Sequence, residues 1–379
     1  MRNVLSIFLI FIISLSIFNF LGKSVMDDSA TAEEFALGLN NTAFFPTFEN
    51  IKFHCSDFDY FPIKNCIDDF LNYPSQTMGV LYTGNSQLHG INQPELGLNS
   101  TTKILYKYFN DSYVDKKLIT FSIPNMNLQE QLVLNIYAAN YLNISHLIIA
   151  ASFDNTRETS IRESIQPAIE HAETQKDLLK LKFGKKIVDT FLQKDNAGNN
   201  LSVDKKNLQQ RVENILDRGL ATIWPAWDMR SRLRFRSIVE VYQFRNRVFG
   251  ITPNSIRKKI PARYSDNLDA LKDLLSFARD KNLKVIVYSP PIRGDQTLPY
   301  DLEEFKVFKS DLKEISESRG FDFFDFQDVV PSQYWGYVDE TDSNTGSKEI
   351  DFMHFQGKGH EFLAEKIVST IESSGWMQK

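Results

Sequence analysis

The chain has 379 residues, 42% hydrophobic and 13% aromatic, which is ample for a core and excludes disorder as its main state. A formal net charge of −5 argues against nucleic acid as a partner, since that calls for a net basic face. Its two cysteines can build neither a disulfide scaffold nor a zinc ribbon.

The run from Val4 to Leu21 is apolar and uncharged, with Arg2 before it and Asp27 and Asp28 beyond it. A membrane-spanning helix needs roughly 17–25 such residues. The Phe20-Leu21-Gly22-Lys23 stretch lacks the small-residue pattern of a cleavage site. One uncleaved transmembrane signal anchor is therefore predicted over 4–21. The charge asymmetry, blurred by Lys23, leaves the N-terminus in the cytoplasm and the remainder outside it. The protein is then expected at the cell membrane, single-pass, with its folded part periplasmic or on the cell surface. Residues 22–50 read as a stalk and 51–379 as the folded domain. Cys55 and Cys66 both fall beyond the anchor and form a candidate disulfide, the alternative being two separate buried thiols.

Along the domain, short apolar runs alternate with helical patterns. Gly79–Thr83 and Leu118–Ile123 read as buried strands, as does His146–Phe153. Asn127, followed three residues later by Glu130, is a capping signal for a helix carrying Leu128, Leu132, Ile136 and Tyr137. Further on come a helix through Leu268, Leu271, Leu274 and Leu275, a strand at Lys284–Ser289, a helix through Leu302, Phe305, Phe308 and Leu312, and a strand at Phe321–Phe326. A last helix runs from about Gly359 to Ser373. Five strands separated by helices predict an α/β fold: a three-layer, flavodoxin-like parallel sheet. Residues 156–263 are too long for one crossover and read as a mainly helical insertion.

Ligands of such sheets bind beyond the carboxyl ends of the strands. There the sequence offers Ser86 after the first strand, Asn125 after the second, Asn155 and Arg157 after the third, and Asp351 and His354 before the last helix. A serine hydroxyl needs a base to take its proton, and His354 is the candidate. Asp351 would fix the imidazole and stabilise its charged form. The Ser86 backbone, the Asn125 turn and the Asn155 side chain are candidate oxyanion donors. Arg157, and Arg293 behind Pro290-Pro291, are candidate substrate contacts. No metal or organic cofactor is indicated: there is no HExxH, no P-loop, and no GxGxxG in a first βα turn.

This order of motifs resembles the SGNH/GDSL hydrolase superfamily over roughly Met78 to Ile371. Ser86 matches the nucleophile, Asp351 and His354 match the Asp-x-x-His pair, and Gly357 and Gly359 fit the following helix. The sequence has G-N-S-Q in place of G-D-S-L, Asn125 or Met126 where the second block has glycine, and Phe153-Asp154-Asn155 in the third. With an N-terminal anchor, the chain looks like the membrane-bound members that acylate lipoteichoic acid or exopolysaccharide. The resemblance implies a serine O-acyltransferase or esterase that takes an acyl donor and a surface glycan, working beside a multi-pass membrane O-acyltransferase. The rival expectation is a non-catalytic SGNH-like scaffold that binds a glycan or that membrane partner. A stretch from Trp224 to Arg247, rich in arginine and aromatic residues, reads as a solvated helix face or as a contact for anionic polymer or lipid.

Overall fold

The computed structural model describes residues 47–48, 51–56, 63–90, 99–198, 241, 244–245, 248–250, 255–339 and 348–376. The chain divides into two units, Met1–Leu39 with Gln193–Ile251, and Asn40–Leu192 with Thr252–Lys379. The second holds the sheet and every candidate residue beyond the strand ends. The predicted anchor and most of the predicted stalk lie outside the described residues. Among the described residues no helix is long and apolar enough to cross a membrane.

The second unit begins with three two-residue strands, β1 (Thr47–Phe48), β2 (Ile51–Lys52) and β3 (His54–Cys55), then helix α1 (Ile63–Leu71). Next come β4 (Met78–Gly84), α2 (Thr101–Ser112), β5 (Lys116–Ser122), α3 (Leu128–Tyr141) and β6 (Ile144–Ala150). Short helices α4 (Gln166–Glu170) and α5 (Ala172–Leu179) precede α6 (Lys182–Gly198). After the other unit's segment follow α7 (Pro261–Asp280), β7 (Lys284–Ser289), α8 (Leu302–Glu317), β8 (Asp322–Asp325), β9 (Trp335–Asp339), β10 (Lys348–Phe355) and α9 (Gly357–Ser373).

Six strands form one parallel sheet in the order β3-β5-β4-β6-β7-β8. Without the edge strand β3, which sequence periodicity cannot reveal at two residues, this is the flavodoxin-like order, and its switch point lies at β4. Alternation along the strands feeds two cores. Leu81, Ile119, Phe121, Leu147, Ile149, Val285 and Val287 face α1, α3, α7 and α8 on one side. Val80, Tyr82, Leu118, Ile148, Ile286 and Tyr288 face α2 and α9 on the other. The α3 start is a true capping box: Asn127 Oδ1 accepts the Glu130 N–H at 2.9 Å, and Glu130 Oε2 accepts the Asn127 N–H at 3.2 Å.

The sheet unit runs on to Leu192 and resumes at Thr252. Ile165, Ala168, Ile169, Leu178, Phe183, Ile187 and Val188 are buried in the same core as α3 and α7, so the segment up to Leu192 belongs to the sheet unit. The apolar residues of these short helices close over α3. His171, for example, stacks at 4.4 Å on Tyr141. The Trp224–Arg247 stretch lies largely outside the described residues.

Candidate active site

Gly84 ends β4, and Ser86 opens a single 3-10 turn, Ser86–Leu88. Asn85 caps that turn, accepting the Gln87 N–H at 3.0 Å. A Cβ on Gly84 would lie 2.8 Å from Leu88 Cδ1 and 3.1 Å from Ala150 Cβ, so only glycine lets the strand end fold this closely against β6. Gly84→Ala is expected to lose about 1–3 kcal/mol through overpacking. Urea denaturation measures that loss, and an unchanged midpoint would contradict the packing argument.

Asp351 and His354 do not sit in a plain loop before the last helix. They lie in β10, which pairs antiparallel with β9. The register breaks between Ile350, opposite Tyr337, and Phe355, opposite Trp335. This bulge bends the chain so that Asp351 Oδ1 accepts the N–H groups of Met353 at 2.9 Å and His354 at 3.0 Å. Gly359 then allows α9 to start directly behind the bulge, since a Cβ there would stand 2.7 Å from Phe355 Cβ.

The bulge delivers His354 to the serine. Ser86 Oγ is 2.9 Å from His354 Nε2, and His354 Nδ1 is 2.9 Å from Asp351 Oδ2. With Nδ1–H donating to the carboxylate, Nε2 keeps its lone pair and accepts the Ser86 O–H. Asp351 is buried, which by itself would raise its pKa. The adjacent His354 and the two backbone N–H donors outweigh burial and hold the carboxyl below its ordinary range. It is thus ready to remain an anion opposite an imidazolium.

Donors for a developing oxyanion come from the strands beside β4. β5 and β6 flank it in the sheet, so the turns after all three lie side by side. These turns are also tied together: Ile123 N–H donates to Gly84 O at 3.3 Å, and Asn85 Nδ2 donates to Ser152 Oγ at 3.1 Å. Asn155 Nδ2 donates to Met126 O. Asn125 has φ +55°, at the third position of a turn closed by Met126 N–H donating to Ile123 O at 2.9 Å, with Pro124 before it. This is where a glycine is favoured, and asparagine is the residue that best replaces it. Among the described residues, the backbone N–H groups of Ser86 and Asn125 meet no protein acceptor. The Asn125 side chain is exposed. Asn155 is buried, its Oδ1 taking the Ser152 N–H at 2.6 Å and one amide hydrogen going to Met126, which leaves a second hydrogen on Nδ2.

The two candidate arginines differ. Arg293 is buried: its guanidinium holds Asp295 through two bonds, at 2.7 and 3.2 Å, and donates to Gly336 O at 3.1 Å. It fixes the loop beside β9. Arg157 is half-buried, donates to Lys258 O at 3.1 Å, and stands 3.6 Å from Asp154. Asp154 also holds Arg257 at 2.6 Å and Tyr300 Oη at 2.9 Å, a cluster that reaches Met353 Sδ through Tyr300 at 3.4 Å. Cys55 is disulfide-bonded and buried; Cys66 lies in α1 with its side chain outside the described set.

Histidines that give no sequence signal occupy the interior beneath the site. His89 and His360 are both buried. Ser122 Oγ is bonded to His89 Nε2 at 2.7 Å and to His54 Nε2, while His360 Nδ1 is 2.9 Å from Thr101 Oγ1. Gln87 is another such residue, because a buried polar side chain in a turn carries no periodicity.

Ser86, His354 and Asp351 thus form one hydrogen-bond chain at the switch point of a doubly wound parallel sheet. No protein-family model and no curated protein sequence matches the chain. Among solved structures, it is similar to a candidate acylhydrolase of Bacteroides fragilis, at 10% identity and a TM-score of 0.37 over 82% of this chain and 96% of that one. It is also similar to a candidate GDSL-like lipase of Parabacteroides merdae, at 12% identity and a TM-score of 0.35 over 80% of this chain and 99% of that one.

Proposed function

We propose that the chain is an SGNH-type serine enzyme that cleaves or transfers an ester-linked acyl group through an acyl-serine. The observation that carries this reading is the unbroken contact from Ser86 Oγ to His354 Nε2 and from His354 Nδ1 to Asp351, 2.9 Å at each step. Ser86 Oγ attacks the acyl carbonyl while its proton passes to His354 Nε2, and Asp351 stabilises the imidazolium. The tetrahedral oxyanion takes hydrogen bonds from the Ser86 and Asn125 N–H groups and the second Asn155 amide hydrogen. Each such donor is worth about 2.7–4 kcal/mol. His354 then returns the proton to the leaving oxygen. A second hydroxyl, from water or from a sugar, repeats the sequence in reverse and frees the serine. The apolar run at 4–21 and the disulfide-bonded Cys55 support an extracytoplasmic, membrane-anchored enzyme that modifies a surface glycan beside a membrane O-acyltransferase.

The test is intact-mass analysis of the full chain after exposure to a fluorophosphonate. A single adduct on Ser86, lost in Ser86→Ala, is expected. A folded protein that takes no adduct would overturn the acyl-serine reading and favour the scaffold. Turnover of an acetylated glycan by the labelled-competent enzyme alone would identify a hydrolase, and turnover only when an acceptor sugar is added would identify a transferase.

A further inference from the structure

We infer that Gln87 is a positioning residue that locks the serine turn to the peptide carrying His354. Its side chain is buried, and its amide nitrogen donates to Met353 O at 2.8 Å and to Pro291 O at 2.8 Å. Both amide hydrogens are thereby spent on carbonyls. A flipped amide would set oxygen against two oxygens, so the orientation is fixed.

The Met353 bond is the informative one. Met353 O and the His354 N–H belong to one peptide plane. Its N–H end is held by Asp351 Oδ1 at 3.0 Å and its C=O end by Gln87 at 2.8 Å. The backbone that aims the imidazole is thus clamped at both ends, on one side by the triad aspartate and on the other by the neighbour of the triad serine. Gln87's own N–H is tied to Asn85 Oδ1 at 3.0 Å, so the clamp is referred back to the Ser86 turn itself. The second donation fastens the same side chain to the Pro290-Pro291 turn that ends β7. One residue therefore sets the relative position of three segments that are distant in sequence.

The cost of this arrangement is visible. Gln87 Oε1 is buried with no hydrogen-bond partner among the described residues. An apolar side chain of similar volume would spare that orphaned acceptor, so packing does not account for glutamine here.

This inference rests on the acyl-serine reading for its kinetic part only. The experiment compares the full-length protein with Gln87→Met and Gln87→Leu, which keep most of the volume and remove the donors. Two readouts are taken: the fluorophosphonate labelling of Ser86 against probe concentration and pH, and the low-field Nδ1 proton of His354, assigned by its loss in Asp351→Asn. Both variants are expected to melt within a few degrees of the parent, because they also remove the orphaned oxygen. The maximal labelling rate is expected to fall about ten- to a hundredfold with the half-saturating probe concentration unchanged. The Nδ1 proton should broaden or vanish as His354 loosens from Asp351. Parent-like labelling with the proton retained would overturn the inference, as would collapse of the fold in both variants, which would make Gln87 a general structural residue. If the parent itself takes no label, the acyl-serine reading fails, and the Nδ1 proton still decides whether Gln87 orders His354.

Discussion

Esterase activity of the full chain on a p-nitrophenyl ester is expected to fall by about 10⁴-fold or more in Ser86→Ala and in His354→Ala, and by about 10⁴-fold in Asp351→Asn. The first substitution removes the proposed nucleophile and the second the imidazole that stands 2.9 Å from its hydroxyl. Asparagine at 351 keeps the shape but can donate its amide N–H to His354. That selects the wrong tautomer and leaves Nε2 holding a proton instead of accepting one. Because the three act as a unit, the double variant Ser86→Ala/His354→Ala should be no worse than either single one. Stability should separate the roles. Ser86 is only partly buried, so Ser86→Ala should melt with the parent, whereas Asp351 also organises the β10 bulge through two backbone N–H groups and should lower the melting temperature when lost. Retention of activity within tenfold in Ser86→Ala would remove Ser86 as the nucleophile and with it the acyl-serine reading.

A second large effect is expected from acid. Burial, acting before any other influence, lowers the pKa of His54, and brings His89 and His360 down to about 3 and His146 to about 4. For His89, the Ser122 hydrogen bond opposes this and the charge of His354 adds to it. These groups are neutral in the fold but have an ordinary value of about 6.5 once the chain unfolds. Each depressed histidine therefore leaves stability intact above pH 6.5. Below it the unfolded chain binds one more proton per histidine, and stability is lost progressively toward pH 3–4. The slope is roughly 1.4 kcal/mol per pH unit for each proton, so four such groups give roughly 5 kcal/mol per unit. Against a total stability of about 5–15 kcal/mol, the fold should be lost within one to three units below pH 6.5. Urea titrations at pH 7, 6 and 5 measure the slope. His89→Gln and His360→Gln should each remove about one proton's share of it. A stability that stays level from pH 7 to pH 5 would show that these imidazoles are protonated in the fold.

Both expectations draw on residues that the sequence reveals unequally. Ser86, Asp351 and His354 are legible because each follows or precedes a strongly patterned element, and because strand ends of a parallel sheet converge whatever the loops between them. The capping box at Asn127 and Glu130 is equally local: its two partners are three residues apart and need nothing from the rest of the chain. The histidines under the site are illegible for the opposite reason. Whether a lone imidazole is wet or buried depends on what arrives above it, and Ser122 meets His54 and His89 only after three separate segments pack.

By itself, then, the sequence determined the alternation of strands and helices, the α/β class, and which serine, histidine and aspartate share one rim, since these follow from hydrophobic period and from short-range geometry. It also suggested Arg293 for substrate, because a charge in a rim loop looks free until its partner is placed. Only the tertiary structure decided that Arg293 pairs with Asp295, that the helices up to Leu192 belong to the main core, and that the Asp351–His354 segment is a bulged strand. It alone brought Gln87 to Met353 across 266 positions of sequence. Such contacts are set by chain segments meeting in space, and a linear pattern holds no trace of a meeting between residues that share no period.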